Sequence, residues 1–248
     1  MYINLCFLIY ESIKNINKVK CLSFIMEKSK IFEVYEERRK RDRLIFTKSI
    51  LPRYNVYGER ICRIGKDEYR EWDPTRSKLA AAIMKGCPNV FIRKGHVVLY
   101  LGASSGTTVS HVSDMVGHEG FVFALDFAPR MVRDLVFVCE KRKNITPLLE
   151  NAHHPEDYKD NVKDIDIIFQ DIAQRDQVEI FLKNVDMFLQ KGGYGLLCIK
   201  SRSIDVTKKP KQVFEEVRRK LDEKIIIVDS KNLEPYEMDH MIFICKKK

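Results

Sequence analysis

Three side chains capable of acid–base chemistry stand at the ends of apolar segments. Asp171 follows the segment DIDIIFQ, Lys200 ends the segment YGLLCIK, and His240 begins the last apolar segment of the chain. A lysine in an apolar strand is costly to bury without a partner. These residues therefore indicate either a reactive site or the plainer alternative, a structural Asp–Lys ion pair beside a solvated histidine.

The segment LYLGASSGTTVSHV runs from an apolar stretch through two glycines into a helical pattern. Gly102 and Gly106 permit close approach of a ligand to the backbone, and amides at the helix start can bind an anion. Thr107 and Thr108 are placed to bind a ligand carboxylate there; the alternative is a tight turn with an ordinary helix cap. The spacing G-x-x-x-G differs from the dinucleotide fingerprint G-x-G-x-x-G, which disfavours an NAD-dependent oxidoreductase.

A further carboxylate, Asp126, ends the next apolar segment along the chain. A carboxylate at this position can accept hydrogen bonds from both hydroxyls of a ribose. The alternative is a solvent-facing acid at a strand end. A ribose contact would select a nucleoside cofactor without specifying the reaction.

Alternating strand and helix patterns position these residues from residue 69 onward. The pattern predicts strands at residues 96–102, 121–128, 145–151, 164–171, 194–200, 224–230 and 241–247. It predicts helices at 78–84, 107–117, 129–143 and 210–224, and one more that ends at the segment LQKGG. Such alternation indicates right-handed βαβ units and a mostly parallel sheet.

The last connection differs from the others. About ten mostly polar residues separate the final two strands, fewer than a crossover helix needs, so the last strand should be antiparallel. Its start then lies at the same edge as the carboxyl ends of the parallel strands, which brings Asp171, Lys200 and His240 to one crevice beside the glycine turn. The predicted fold class is α/β, a Rossmann-like class I methyltransferase with a reversed last strand.

The N-terminal part of the chain has a different character. The short alternating segments IFEVYE and RLIFTKSI predict a small antiparallel β domain, with a turn at EERRKRDR. We predict three parts: an upstream extension at residues 1–25, a β domain at 26–68 and a methyltransferase domain at 69–248. The extension lacks the pattern of a secretory signal, and Met26 is a plausible true start.

Charge and cysteine usage narrow the class of protein. Forty-four Lys and Arg against 35 Asp and Glu give a net charge of +9, which favours a polyanionic partner without requiring one. The seven cysteines are scattered and never form a CxxC pair, which indicates a reducing compartment and neither a disulfide framework nor a zinc site. No apolar run approaches the roughly 20 residues of a membrane helix, so no membrane partner is expected.

Several segments together resemble the motif series of the fibrillarin family, the methylating subunits of box C/D guide ribonucleoproteins. They are DEYREWDPTRSKLAAAI, YLGASSGTTVSHVSD, FAPR, FQDIAQ, KGGYGLLCIKSRSIDVT and EPYEMDH. The similarity runs from about Lys48 to the C-terminus and is to the shorter archaeal form, since no Gly/Arg-rich tail is present. The resemblance implies methyl transfer from S-adenosylmethionine to ribose 2′-hydroxyls of rRNA and tRNA.

The resemblance also implies site residues. Catalytic roles carry over to Lys78, Asp171, Lys200 and His240. Cofactor contacts carry over to Gly102, Thr107, Thr108, Asp126, Phe127, Asn151, Ala152, Asp171, Ile172, Ala173 and Gln174.

Two of these positions depart from the family pattern, which has Glu in place of Asp126 and Asp in place of Asn151. The shorter arm of Asp126 calls for a small backbone shift or a water to reach the ribose. The amide oxygen of Asn151 can still accept from an adenine amino group.

The implied chemistry needs no metal, because the sulfonium of the cofactor is already a strong electrophile. Lys200 is expected to act as base or hydroxyl-orienting group, with Asp171 orienting it. Lys78 adds a like charge that favours a neutral Lys200. His240 is expected to position the ribose or pass the proton on.

The implied partners are a Nop-domain scaffold protein, a kink-turn-binding ribosomal-type protein, a box C/D guide RNA and the target rRNA. The expected location is the cytoplasm for an archaeal-type protein and the nucleolus in a eukaryote. The alternatives are a protein (glutamine) methyltransferase and a catalytically silent, methyltransferase-like assembly subunit. The complete Lys–Asp–Lys–His set disfavours the silent alternative.

Overall fold

The computed structural model describes residues 26–38 and 43–248 of the chain. The predicted extension at residues 1–25 lies outside the described residues, as does part of the predicted EERRKRDR turn. The strands are β1 (Glu27–Lys28), β2 (Val34–Arg38), β3 (Arg43–Lys48), β4 (Ile61–Ile64), β5 (Asp67–Glu71), β6 (Val97–Leu101), β7 (Phe121–Asp126), β8 (Ile145–Leu149), β9 (Ile165–Gln170), β10 (Leu189–Lys200), β11 (Ile226–Asn232) and β12 (His240–Lys246). The α-helices are α1 (Lys78–Met84), α2 (Thr107–Val116), α3 (Pro129–Lys141), α4 (Gln177–Phe188), α5 (Ser201–Ile204) and α6 (Pro210–Lys224).

Seven strands form the main sheet, in the order β11–β12–β10–β9–β6–β7–β8. Strands β6 to β10 are parallel, and β12 is antiparallel to both of its neighbours. The predicted parallel sheet with a reversed last strand is therefore confirmed. The register pairs Lys200 with His240, so the end of β10 meets the start of β12.

Two helical layers cover the faces of this sheet. In β6, Val98 and Tyr100 join a core formed with α1, α2 and α3. Leu99 and Leu101 join the opposite core, formed with α4 and α6. Successive strand residues point to opposite faces, so strands buried on both sides are apolar throughout. Within the described part of the chain, no helix has the length and apolar character needed to cross a membrane.

The five N-terminal strands form a separate antiparallel sheet in the order β1–β2–β3–β5–β4. Strand β5 continues to Glu71, so the boundary predicted between residues 68 and 69 falls inside it. The strand extends because its neighbours hold its last residues. The Glu71 N–H donates to Arg60 O at 2.9 Å, and the Trp72 N–H donates to Ile45 O at 2.8 Å.

A buried ionic network joins the small sheet to α2. Arg70 of β5 donates to Glu59 Oε1 at 2.6 Å and to Asp114 Oδ2 at 2.7 Å. Arg142, after α3, donates to Asp114 Oδ1 at 2.7 Å. The side chains of Arg70, Asp114 and Arg142 are all inaccessible to solvent. One carboxylate therefore serves two buried guanidinium groups and fixes the small sheet against the main domain.

Asp114→Ala should lower the free energy of unfolding by about 3–5 kcal/mol, because it removes the carboxylate that pairs with buried Arg142 and leaves buried Arg70 with Glu59 alone. Urea denaturation followed by circular dichroism measures the loss. Lys94→Ala is the control: it removes an exposed pair with Glu119 and should cost at most about 1 kcal/mol. Similar losses in both variants would contradict a stabilising role for the network.

The predicted helix stop at LQKGG is wrong in detail. Helix α4 ends at Phe188, and residues 189–193 already belong to β10. A register shift against β9 lies between Leu189 and Tyr194. The glycines serve this irregular strand: Gly192 N–H donates to Lys247 O at 3.1 Å, and Lys247 N–H donates to Gly193 O at 2.9 Å. A glycine pair typical of a helix end therefore marks a strand irregularity here.

Candidate active site

The turn after β6 depends on Gly102. Its φ is +86°, a conformation that side chains with a Cβ rarely adopt. A Cβ at this position would lie 2.3 Å from the carbonyl oxygen of Asp171. The backbone N–H groups of Gly102 and Ala103 both donate to Leu125 O at 2.9 Å. Only glycine allows the turn to pack this closely against the segment that follows β9.

Gly102→Ala should lower stability well beyond the effect of Gly95→Ala. Gly95 has a similar φ of +82° but open space around the added methyl, so its variant incurs only the left-handed conformation, about 1–2 kcal/mol. In Gly102→Ala the segment at Asp171 must also move. Urea midpoints of the two variants compare the effects directly. Equal shifts would show that the close approach to Asp171 is unimportant.

A cleft of about 310 Å³ opens beside this turn. It is lined by Gly102, Ser104, Leu125, Asp126, Phe127, Asn151, Ala152, His153, Asp171, Ile172, Ala173 and Gln174. Nine of these were expected from the sequence to contact a cofactor. Ser104, Leu125 and His153 were missed, although each lies within two residues of a predicted position. Counting the immediate neighbours of the predicted positions would have found most of them.

Asp126 is held rigidly at the end of β7. Ser104 N–H donates to its Oδ2 at 2.8 Å, and Ala128 N–H donates to its Oδ1 at 2.9 Å. Each carboxylate oxygen keeps a free lone pair. The side chain can therefore accept from two hydroxyl groups of a ligand in the cleft.

Asn151, Ala152 and Phe127 form another part of the wall. Asn151 Oδ1 accepts from His153 N–H at 3.1 Å, and Ala152 O accepts from Asn184 Nδ2 at 2.9 Å. The Phe127 ring is 62% exposed, an apolar surface for a flat ligand to cover. The wall combines fixed polar atoms with an open aromatic face.

Thr107 and Thr108 do not line the cleft. Thr108 is buried, and its hydroxyl donates to Ser77 Oγ at 3.0 Å. Ser77 is the N-cap of α1 and also accepts from Ala80 N–H at 3.4 Å. The structure thus ties the start of α2 to the start of α1, and the cofactor contacts of the two threonines stay predictions.

Lys78 and Asp171 form an ion pair at the edge of the cleft. The distances from Lys78 Nζ to Asp171 Oδ1 and Oδ2 are 3.0 and 3.1 Å. Burial lowers the pKa of Lys78, but the neighbouring carboxylate outweighs it, and the pKa lies above its usual value. Lys78 is therefore a cation at neutral pH. Because Asp171 contacts Lys78, the idea that Asp171 orients Lys200 stays a prediction.

His240 is buried, whereas Lys200 beside it is exposed. The His240 Nδ1–H donates to Met238 O at 2.6 Å, since a carbonyl can only accept. Burial lowers the pKa of His240, and the charge of Lys78 lowers it further. The hydrogen bond to Met238 raises the pKa, but the net shift is downward. The imidazole is therefore neutral at pH 7 with its lone pair on Nε2. The structure brings all four predicted catalytic residues to the same edge of the sheet.

Comparison with known proteins extends over the whole described chain. A sequence model of the Fibrillarin family matches residues 25–248. The fibrillarin-like rRNA/tRNA 2′-O-methyltransferase of Pyrococcus horikoshii is 51% identical over 203 residues, which cover 82% of this chain and 89% of the relative.

Two solved structures are similar in fold and sequence. The structure of Aeropyrum pernix fibrillarin with natively bound S-adenosyl-L-methionine is 40% identical, with a TM-score of 0.82 over 90% of this chain and 99% of that one. A fibrillarin/Nop5p complex matches at 37% identity and a TM-score of 0.79 over 89% and 100%. The matches include the N-terminal sheet as well as the methyltransferase fold, and the chain belongs to the fibrillarin family.

Proposed function

We propose that this chain transfers the methyl group of S-adenosylmethionine to ribose 2′-hydroxyls of rRNA and tRNA. The observation that carries the proposal is the Lys78–Asp171 ion pair at the edge of the sheet where Lys200 meets His240, next to a cleft that both Asp171 and Asp126 line. The Pyrococcus horikoshii relative, named as such an enzyme, supports it.

The residues of the cleft suit an adenosine cofactor. Asp126 would accept from the ribose hydroxyls, and the exposed Phe127 ring would cover one face of the adenine. The Asn151 amide would meet the adenine edge, and Gly102 and the segment from Asp171 to Gln174, packed closely together, line the same cleft. When bound, S-adenosylmethionine supplies an electrophilic methyl on a sulfonium that leaves as a neutral thioether. We expect no metal to take part.

The four polar residues then act on the RNA. Lys200, exposed at the end of β10, orients the 2′-hydroxyl as a hydrogen-bond donor or, in its neutral form, takes the hydroxyl proton. Lys78 and Asp171 stay paired as a cation and an anion at the same edge of the sheet as Lys200. His240, neutral with a free Nε2 lone pair, positions the ribose or accepts the proton in turn. Proton removal of this kind contributes about 10²–10⁴-fold, and alignment of the reacting groups supplies a further several kcal/mol.

The substrate and partners follow from this chemistry and from the family. DNA lacks the 2′-hydroxyl, so RNA is the required acceptor. We propose that the chain is the catalytic subunit of a box C/D particle with a guide RNA, a Nop-domain scaffold and a kink-turn-binding ribosomal-type protein. The fibrillarin/Nop5p complex supports the scaffold. The particle would act in the cytoplasm of an archaeon, or in the nucleolus if the source is eukaryotic.

Asp126→Ala should weaken S-adenosylmethionine binding by about 1–3 kcal/mol, because ribose hydroxyls lose a buried acceptor. Isothermal titration calorimetry with the purified chain measures this. Asp134→Ala, which removes an exposed acid on α3, is the control and should bind as the unmodified chain does. Tight NAD binding without S-adenosylmethionine binding would overturn the proposed function.

A further inference from the structure

Gln177, the first residue of α4, is wholly buried behind the cleft and contacts three segments of the site. Its Nε2 donates to Gln174 O at 2.6 Å. Its Oε1 accepts from the backbone N–H of Lys200 at 3.4 Å. Its own carbonyl accepts from Gln170 Nε2 at 2.5 Å. One residue thus joins the ends of β9 and β10 to the wall of the cleft.

Each of these three contacts reaches a functional position. Gln174 lines the cleft, Gln170 directly precedes Asp171, and Lys200 carries the proposed hydroxyl-binding amine. The Gln177 side chain uses its donor toward Gln174 and its acceptor toward Lys200, so the orientation of the amide is determined by the two contacts. A side chain without both groups cannot hold the two segments at this separation.

The arrangement is not the most stable one available to a core. Gln170 is also wholly buried, and its Oε1 has no hydrogen-bond partner among the described residues. An orphaned buried acceptor costs about 1–3 kcal/mol, which an apolar pair of similar volume would avoid. Stability alone therefore does not account for Gln170, whose side chain bonds the Gln177 carbonyl.

We propose that Gln177 is a positioning residue for methyl transfer: it sets the distance between the cofactor-binding segment at Gln174 and the backbone of Lys200. This inference rests on the proposed function. Through it, the methyl donor in the cleft and the 2′-hydroxyl at Lys200 are held in line. Alignment is sensitive to such support, since a displacement of about 1 Å can cost about 10²-fold in rate.

The test replaces Gln177 by methionine, which keeps the length and removes both polar groups. Single-turnover methyl transfer is measured with the full chain in its assembled guide particle, and S-adenosylmethionine affinity is measured by calorimetry. We expect the rate at saturating cofactor to fall about 10²-fold, with a much smaller change in affinity. Gln177→Asn is too short to span both contacts and should also lose rate with little change in affinity. It is the second variant if the first does not fold.

The matched control is Asn144→Leu, which also removes a buried amide. Asn144 bonds Ser113 O and Gly117 O, in the opposite helical layer. It should lose stability but keep the unmodified rate per folded molecule. An unchanged rate in both Gln177 variants, or a loss that matches their unfolded fraction, would overturn the positioning role. Absence of methyl transfer by the unmodified particle would instead refute the proposed function.

Discussion

Lys200→Ala is expected to lower the single-turnover rate of methyl transfer by about 10²–10⁴-fold, the usual contribution of a positioned proton acceptor. The fold should survive, because the Lys200 side chain is exposed and the strand pairing of β10 with β12 uses only the backbone. Cofactor affinity should change little, since Lys200 does not line the cleft. Rapid-quench assays on the assembled particle give the rate, and calorimetry gives the affinity.

Two further variants separate a catalytic role from a general loss of positive charge. Lys220→Ala removes an exposed lysine of α6 that pairs with Glu179, and it should leave the rate unchanged. Asp171→Ala should lower the rate by orders of magnitude and also weaken cofactor binding, because Asp171 both pairs with Lys78 and lines the cleft. A near-normal rate for Lys200→Ala would show that another group takes the proton.

The second large effect concerns assembly. The isolated chain should bind S-adenosylmethionine but methylate free RNA slowly and without site preference. Two of its basic residues are engaged within the chain: Lys208 pairs with Glu216, and Lys247 donates to three backbone carbonyls. Phosphate contacts from the remaining charges carry no sequence information. We therefore expect the nucleotide to be selected by base pairing with a guide.

Adding the Nop-domain scaffold, the kink-turn-binding protein and a box C/D guide should raise the rate at one nucleotide by about 10²–10⁴-fold, through the effective concentration of the tethered target. Methylation is mapped by primer extension at low nucleotide concentration. A guide whose pairing segment is shifted by one nucleotide is the control, and it should move the modified position accordingly. Rates and site choice equal to those of the particle, from the chain alone, would refute delegation to a guide.

The sequence alone predicts the main sheet well, because its strands are buried on both faces and its helices have clear periodicity. The reversed last strand followed from the length of one connection, and the shared edge of Asp171, Lys200 and His240 followed from that topology. Gly102 was expected to allow a backbone conformation that other residues rarely adopt, and its φ in the structure is +86°. Periodicity and turn chemistry are local properties, so a sequence displays them directly.

Long-range pairing could not be predicted in the same way. Asp171 pairs with Lys78, 93 residues away, and Asp114 pairs with Arg70 of β5 and with Arg142, which follows α3. Such partners depend on how separate elements pack. The glycines of LQKGG were misread for the same reason, since their pairing partner, Lys247, lies at the far end of the chain.

Methylation of a ribose 2′-hydroxyl by this chain is tested by locating the transferred methyl group. The assembled particle is given S-adenosylmethionine with a labelled methyl and a target RNA, in parallel with the same RNA carrying 2′-deoxyribose at the nucleotide selected by the guide. We expect label on the ribose of that one nucleotide in the first reaction and none in the second. Label on protein glutamine, or label retained on the deoxy-substituted RNA at the same nucleotide, would contradict it.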